Sequence, residues 1–141
     1  MITSSELIQV VYDGLKGSLL EQAVSGKIYK RRRPKNSNLE DVVINSLPTV
    51  NGQLQQAVLN VNVFVPDLQL SIGGEKQNLP DEKRLNELEV LAVSVLKEGS
   101  AEDSQKRFIQ FEVQQTNILE DDESDQYFIN IRLQFFITNI N

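Results

Sequence analysis

The side chains of this chain that could carry out chemistry are carboxylates, lysines and arginines, because its 141 residues include no His and no Cys. Histidine is the usual acid, base and metal ligand near neutral pH, and cysteine is the usual thiol nucleophile and zinc ligand. Without them, most acid/base, nucleophilic and zinc sites lose the residues that they normally use. We therefore expect a protein without catalysis, metal or cofactor, which acts through its shape and its assembly.

One pattern has the residue order of a metal-dependent nuclease, with Asp67 after Pro66 and then the segment Asp81-Glu82-Lys83. In that chemistry two carboxylates hold Mg²⁺ and a lysine orients the attacking water. Asp81 and Lys83, however, fall in the first turn of a predicted helix, where the helix dipole explains acidic residues. A nuclease is therefore a remote alternative.

A cluster of positive charge lies between residues 27 and 35, where six of nine residues are basic: Lys27, Lys30, Arg31, Arg32, Arg33 and Lys35. Three interpretations stay open: contact with nucleic-acid phosphates, contact with the acidic surface of another subunit, or a solvated loop. No aromatic residue lies between Arg31 and Lys35, which argues against stacking on single-stranded nucleic acid. The net charge of −6 argues against a protein that coats nucleic acid.

A run of acidic residues lies near the C-terminus: Glu120, Asp121, Asp122, Glu123 and Asp125. Its alternation is similar to the start of an EF-hand calcium loop, but the match ends there. Gln126 stands where the turn glycine belongs, and Arg132 stands at the twelfth position in place of a bidentate Glu. We interpret the run as a solvated hairpin tip, which could also contact the basic loop of a neighbouring subunit.

The composition is that of a soluble globular protein, with 40% hydrophobic and 24% charged residues. Its length predicts a single domain over residues 1–141. No segment has the roughly 20 consecutive apolar residues of a membrane span. The N-terminus also lacks a basic region followed by an apolar stretch. We therefore expect no membrane partner and no signal peptide.

Apolar periodicity and capping residues predict two main helices. The first begins at a capping box of Thr3 and Glu6, continues its apolar face to Leu19 and stops before Gly26. The second begins within residues 78–82 and ends near Lys97. Its apolar stripe consists of Leu85, Leu88, Leu91, Ala92, Val95 and Leu96.

Alternating residues predict five strands, at residues 27–30, 40–47, 54–65, 107–118 and 126–140. In the third strand, one face carries Leu59, Val61, Val63 and Val65, and the other carries Asn60, Asn62 and Phe64. Asn51-Gly52 predicts a turn, and residues 72–75 predict a loop. The order α-β-β-β-α-β-β predicts an α+β fold, with an antiparallel-rich sheet of about five strands and two helices on one side.

Several segments together carry a resemblance to a known family: the leading helix, Gly26-Lys27-Ile28-Tyr29, the Pro-containing loop, Asp41-Val42-Val43-Ile44, the strand from Asn60 to Asp67, the second helix and the closing hairpin. In this order they resemble tail-completion or tail-terminator (head-tail joining) proteins of long-tailed phages and prophages. The resemblance covers most of the chain by element order.

The resemblance implies a non-enzymatic subunit of a phage or prophage tail. Such a subunit would form a ring, suspected to be hexameric, at the head-proximal end of the tail tube, where it stops tube polymerisation. Its partners would be further copies of itself, tail-tube proteins and head-connector proteins. We would then expect it in the bacterial cytoplasm during assembly and afterwards in the virion tail.

A ring requires one patch of each copy to meet a different patch on the next copy. The two charged loops offer complementary charge for this contact: Lys30, Arg31, Arg32, Arg33 and Lys35 on one, and Glu120, Asp121, Asp122, Glu123 and Asp125 on the other. Phe64 and Phe136 are the apolar candidates, since they belong to the less buried faces of their strands, although either could lie under a helix. The main alternative is a nucleic-acid-binding accessory module that uses the basic loop 27–35.

Overall fold

The computed structural model describes residues 2–47, 56–102 and 107–139, and the predicted Asn51-Gly52 turn lies outside these ranges. The elements are, in chain order, α1 (Ser4–Leu15), α2 (Leu19–Ala23), β1 (Ile28–Lys30), β2 (Val42–Ser46), β3 (Gln56–Pro66), β4 (Leu68–Ile72), β5 (Glu75–Leu79), α3 (Glu82–Leu96), β6 (Glu98–Glu102), β7 (Arg107–Asp121) and β8 (Gln126–Asn139). The α+β class is confirmed. No helix in the described ranges is long and apolar enough to cross a membrane.

The strands form a main sheet and a separate hairpin. Within the described residues the main sheet has six strands in the order β1-β2-β3-β8-β7-β6, and β4 pairs with β5 alone. The β1–β2 pair is parallel, whereas the other pairs are antiparallel. Compared with the predicted order, the chain has three further strands, β4, β5 and β6.

One face of the sheet builds the hydrophobic core together with α1, α2 and α3. In the register of β3 and β8, Val61 lies opposite Ile131 and Val63 opposite Ile129, and all four side chains are buried. The helices contribute the buried residues Leu7, Ile8, Val11, Leu15, Leu20, Leu85, Leu88, Ala92 and Leu96 to the same cluster. Each large side chain that is fully buried contributes about 1.5–3 kcal/mol. The predicted faces of β3 and α3 are therefore confirmed.

The opposite face of the sheet carries polar and aromatic side chains. Asn62 lies opposite Asn130, whose Nδ2 donates to Asn62 Oδ1 at 2.7 Å, and Phe64 lies opposite Phe128. These side chains are half-buried. We call this the outer face of the sheet, because both long helices pack on the other side.

The prediction of one N-terminal helix as far as Leu19 is wrong. The chain leaves α1 after Leu15, and Gly17 adopts a φ of 80°, which is unfavourable for other residues. Ser18 then caps α2 by accepting from the backbone N–H of Glu21. As a result Leu19 is 64% exposed and Leu20 is buried instead.

The predicted C-terminal end of the second helix near Lys97 is confirmed, and Gly99 lies in the strand that follows. Helix α3 ends at Leu96, and Gly99 belongs to β6, directly opposite Phe111 of β7. A Cβ at Gly99 would clash with the Phe111 ring, which therefore lies over the glycine. A glycine in an edge strand that is covered by an aromatic ring from the neighbouring strand is a known sheet device.

Candidate subunit interface

A buried carboxylate at the start of β2 anchors the basic loop of residues 27–35. Asp41 is fully buried, and its oxygens accept hydrogen bonds from the backbone N–H of Lys27 at 3.3 Å and from the Ser37 hydroxyl. Arg33 Nη1 completes the site at 3.3 Å from Asp41 Oδ2. A buried carboxylate needs such partners, because burial without them is costly.

Arg33 also joins the basic loop to the acidic run, which comprises residues 120–125. Its Nη2 donates to Gln126 Oε1 at 3.0 Å and lies 3.8 Å from Asp121 Oδ2. Its guanidinium carbon lies 3.7 Å from the centroid of the Phe64 ring, a distance typical of a cation–π contact. The Arg33 side chain is only 13% exposed. The two charged loops therefore meet within one chain, and Arg33 is not a free surface cation.

The close approach of β1 to this anchor requires Gly26. Its backbone N–H donates to the Glu40 carbonyl at 3.0 Å. A Cβ at Gly26 would clash with the Asp41 carboxylate and would lie 2.6 Å from the Glu40 carbonyl oxygen. Any larger residue at this position would therefore displace the buried carboxylate.

The first two cations of the predicted interface contact α1. Lys30 Nζ donates to the Gln9 side chain and lies 4.7 Å from the centroid of the Tyr12 ring. Arg31 has a φ of 68°, and its Nη2 donates to the Ser5 hydroxyl at 3.0 Å. Both residues are exposed, so these are surface contacts of modest strength.

Arg32 and Lys35 differ from the other cations of the predicted interface, because neither side chain has a partner among the residues that the structure describes. They line an open groove of about 520 Å³ whose aromatic lining is the pair Phe64 and Phe128, with ring centroids 5.2 Å apart. Asp121 and Glu123 line the same groove. A nucleic-acid backbone placed here would meet carboxylates as well as cations. The groove therefore gives no support to the nucleic-acid interpretation.

The acidic run forms the tip between β7 and β8. Asp121 accepts from the backbone N–H of Glu123 at 3.2 Å and from the Ser124 hydroxyl at 2.7 Å, which stabilises the turn. The side chains of Glu120, Asp122, Glu123 and Asp125 are exposed. The predicted position at a solvated hairpin tip agrees with this arrangement.

The residues of the nuclease alternative lie in surroundings that differ from those of a metal-dependent nuclease site. Asp81 is the N-cap of α3, and its Oδ1 accepts from the backbone N–H of Arg84 at 3.1 Å. Lys83 is exposed in the first turn of α3. Asp67 Oδ1 is buried without a hydrogen-bond partner among the described residues, and burial, Asp125 and Glu120 raise the pKa of its carboxyl group. The described residues contain no group of three or more acidic side chains that could hold a metal ion.

The two predicted aromatic contacts differ in exposure. Phe64 is half-buried beneath Arg33, whereas Phe136 is 38% exposed on the outer face. Phe136 borders a recess of about 400 Å³ with Gly99, Phe111 and Glu112. Phe136 therefore keeps the surface position that the sequence predicted for it, and Phe64 is covered by its own chain.

The sequence prediction missed the hairpin of β4 and β5, which we call the β4–β5 arm. Every residue of both strands is exposed, including Leu68, Leu70, Ile72 and Leu79, with exposed fractions of 42%, 41%, 46% and 38%. Leu68 lies opposite Leu79, so alternation places all four side chains on one face of the arm. The two strands contact each other and make few contacts with the other helices and strands that the structure describes.

The turn of the arm explains its regular shape. Gly73 and Gly74 have φ values of 61° and 84°, which is the pattern of a type I′ turn. This turn matches the right-handed twist of two antiparallel strands. The signal was present in the sequence, because Leu68, Leu70 and Ile72 alternate with polar residues directly before Gly-Gly.

A scan of protein-family models found no match for this chain, and a search of curated proteins found none either.

Proposed function

We propose that this protein is a non-enzymatic structural subunit that assembles with copies of itself into a ring, and that the ring terminates a phage or prophage tail tube and joins it to the head connector. The observation that carries the self-assembly is the exposed apolar face of the β4–β5 arm. The specific place at the end of a tail rests on the resemblance carried by the sequence segments named above, and the α+β class of the fold agrees with it.

Exposure of the apolar face of the arm to water is unfavourable in an isolated chain. A two-stranded hairpin without further packing is marginally stable in water at best. Four large aliphatic side chains of the arm are each about two-fifths exposed on the same face. Completing their burial against a partner would contribute on the order of 3 kcal/mol. This is a sizeable part of the energy needed to hold neighbouring subunits together.

The charged loops have a smaller part in this proposal than the sequence predicted. Arg33 and Asp41 are paired within the chain, and Asp121 lies close to Arg33. Arg32 and Lys35, which have no partner among the described residues, can affect the rate and orientation of subunit contact, because exposed charges act mainly on association. Affinity would then come from apolar burial and strand pairing, which salt does not weaken.

The first test is the absolute mass of the purified protein, measured by light scattering after size exclusion over a range of concentrations. We expect a closed oligomer near six times the chain mass of 16.0 kDa, which persists at high salt. Electron microscopy of the same sample should show rings. A strict monomer at every concentration would contradict the self-assembly proposal.

A matched pair of variants tests whether the arm drives assembly. Leu70→Ser with Ile72→Ser removes two apolar side chains from the arm, and we expect it to shift the mass to 16.0 kDa. The control is Leu19→Ser with Val90→Ser, which changes two residues that are 64% and 62% exposed on helices. The control should keep the mass of the parent protein. Equal loss of assembly in both variants would show that general surface hydrophobicity, and not the arm, is responsible.

A further inference from the structure

Among the described strands, the edge of β7 that faces away from β8 is open over its second half. Strand β6 pairs with β7 only from Phe108 to Glu112, and β7 continues to Asp121. Within the described residues, no strand lies beside residues 114–121 on that side. An edge of this kind presents unpaired backbone N–H and C=O groups and can receive another strand.

The same open edge carries exposed apolar side chains. Ile118 is 39% exposed and Leu119 is 45% exposed. The other large hydrophobic residues recorded as exposed outside the arm, Leu19, Leu39, Val90 and Phe136, lie singly, three on separate elements and Leu39 in the loop before β2. In the described part of the chain, the β7 edge is therefore the place where two such residues coincide with unpaired backbone.

We propose that the β4–β5 arm of one copy adds to the open β7 edge of the next copy as further strands of its sheet. This inference rests on the proposed self-assembly and names the two surfaces that meet. The arm offers two five-residue strands, and the edge offers eight residues. Strand addition satisfies the backbone groups of both, and apolar side chains of the arm lie next to Ile118 or Leu119.

The two surfaces are different parts of the chain and are not paired with each other inside one copy. A contact in which residues 68–79 of one copy meet residues 114–121 of the next, without the reverse contact between the same two copies, is head-to-tail, and each subunit gives one arm and receives one. Such contacts close into a ring when the rotation between copies permits it. The type I′ turn preforms the arm, which lowers the conformational entropy lost on binding.

Cysteine cross-linking tests this contact cleanly, because the chain has no cysteine of its own. Ser71→Cys places a thiol on the exposed arm with little change in size, and Asn117→Cys places one on the exposed β7 edge. Two proteins with different tags, each carrying one of these changes, are assembled together and treated with a short bis-maleimide. We expect a cross-linked product of one copy of each.

The double variant, Ser71→Cys with Asn117→Cys, should give a ladder of cross-linked products up to the full ring. The control replaces Asn117→Cys by Ser94→Cys, which places the thiol on the exposed surface of α3. We expect at least tenfold less cross-linking to Ser71→Cys in this control. Amide hydrogen exchange of residues 115–121 should also be at least tenfold slower in the parent oligomer than in the Leu70→Ser/Ile72→Ser variant.

The outcomes separate this inference from the proposal on which it rests. An oligomeric parent that gives no product between Ser71→Cys and Asn117→Cys, and no slowed exchange at residues 115–121, overturns the arm-to-edge contact but leaves the self-assembly standing. Cross-linking of Asn117→Cys only to itself also overturns it, because two β7 edges would then meet symmetrically. A monomeric parent without cross-links contradicts both.

Discussion

The basic loop and the β4–β5 arm are close in the structure, but they differ in whether their side chains find partners within the chain. The Asp67 N–H at the base of the arm donates to the Asp125 carbonyl at 3.1 Å, so the arm begins beside the acidic run that Arg33 approaches. The basic loop has its central cation held by Asp41, Gln126 and Phe64. The arm has four apolar side chains that are each about two-fifths exposed.

The difference shows which kind of sequence feature stays exposed after the chain has folded. A charged side chain needs one opposite charge or a few hydrogen-bond partners, and a distant part of the same chain can supply them. The apolar face of a two-stranded hairpin needs a broad surface, and neither of its own strands can provide it. In this chain the central charge of the dense cluster is paired within the chain, whereas the apolar face of the arm stays partly exposed.

The largest effect that we predict comes from Asp41→Ala, which tests whether the basic loop is held within the chain. Arg33 would lose its buried counter-charge, and breaking a buried ion pair by removing one partner costs about 3–5 kcal/mol. The free energy of unfolding in urea should fall by that amount. Arg32→Ala is the control, because this neighbouring cation is exposed and has no partner in the described residues; its effect should stay within about 0.5 kcal/mol.

If Asp41→Ala and Arg32→Ala both lower the free energy of unfolding only slightly, the pairing of Arg33 with Asp41 contributes nothing to stability. The loop would then be free to act at an interface as the sequence alone suggested, and the contrast with the arm would disappear.

An intermediate effect, confined to the arm, is expected for Gly73→Ala with Gly74→Ala. Both residues have positive φ, which costs a residue with a side chain roughly 1–2 kcal/mol each. The arm should lose order, measured as faster amide exchange over residues 68–79. Global unfolding of the monomer should change by less than about 0.5 kcal/mol, because the arm packs on little else. Assembly should weaken with the arm.

Gly14→Ala is the matched control for these glycine changes. Gly14 lies in α1, and a Cβ there would meet no atom within 4 Å. Alanine in a helix interior is favoured over glycine by about 1 kcal/mol, so this variant should be slightly more stable and should assemble normally. A loss of global stability in the arm variant as large as that of Asp41→Ala would show that the arm is packed against the body.

Much of the core could be predicted from sequence, because local periodicity determines which residues face inward. The capping box at Thr3 and Glu6 and the alternating faces of β3 are examples, and both are present in the structure. The break after Leu15 was missed because the helical periodicity continues through it, although Lys16 is extended and Gly17 has a positive φ.

The candidate site was less predictable, because its partners are distant in sequence. Arg33 and Gln126 are separated by 93 residues, and no local pattern indicates that they meet. The arm was missed for the opposite reason: its Gly-Gly turn was recognised, but the short alternating strands on either side were not.

The smallest predicted effect comes from Asp67→Asn, at the junction of the two regions. Burial, with repulsion from Asp125 and Glu120, raises the pKa of the Asp67 carboxyl, so the folded state disfavours its charged form. Above that pKa the charge lowers stability, and below the ordinary value of 3.8 the carboxyl is neutral whether the chain is folded or unfolded. Asp67→Asn should therefore raise the unfolding free energy at pH 7 by no more than about 1 kcal/mol, and the gain should vanish near pH 3.

Glu6→Gln gives the opposite sign and serves as the comparison for the Asp67 variant. A hydrogen bond from Arg107 lowers the pKa of the Glu6 carboxyl, so its charge stabilises the fold above the ordinary value of 4.5, and this contribution is lost as the pH falls through the lowered pKa. Glu6→Gln should be slightly less stable than the parent at pH 7, and the stabilities of the variant and the parent should converge in acid.

Urea unfolding from pH 3 to pH 7 measures the Asp67→Asn and Glu6→Gln effects, in the Leu70→Ser/Ile72→Ser background that is expected to keep the protein monomeric. A less stable Asp67→Asn variant at pH 7 would mean that the Asp67 carboxylate stabilises the base of the arm. The base of the arm would then resemble the basic loop, whose central cation has its partners within one chain.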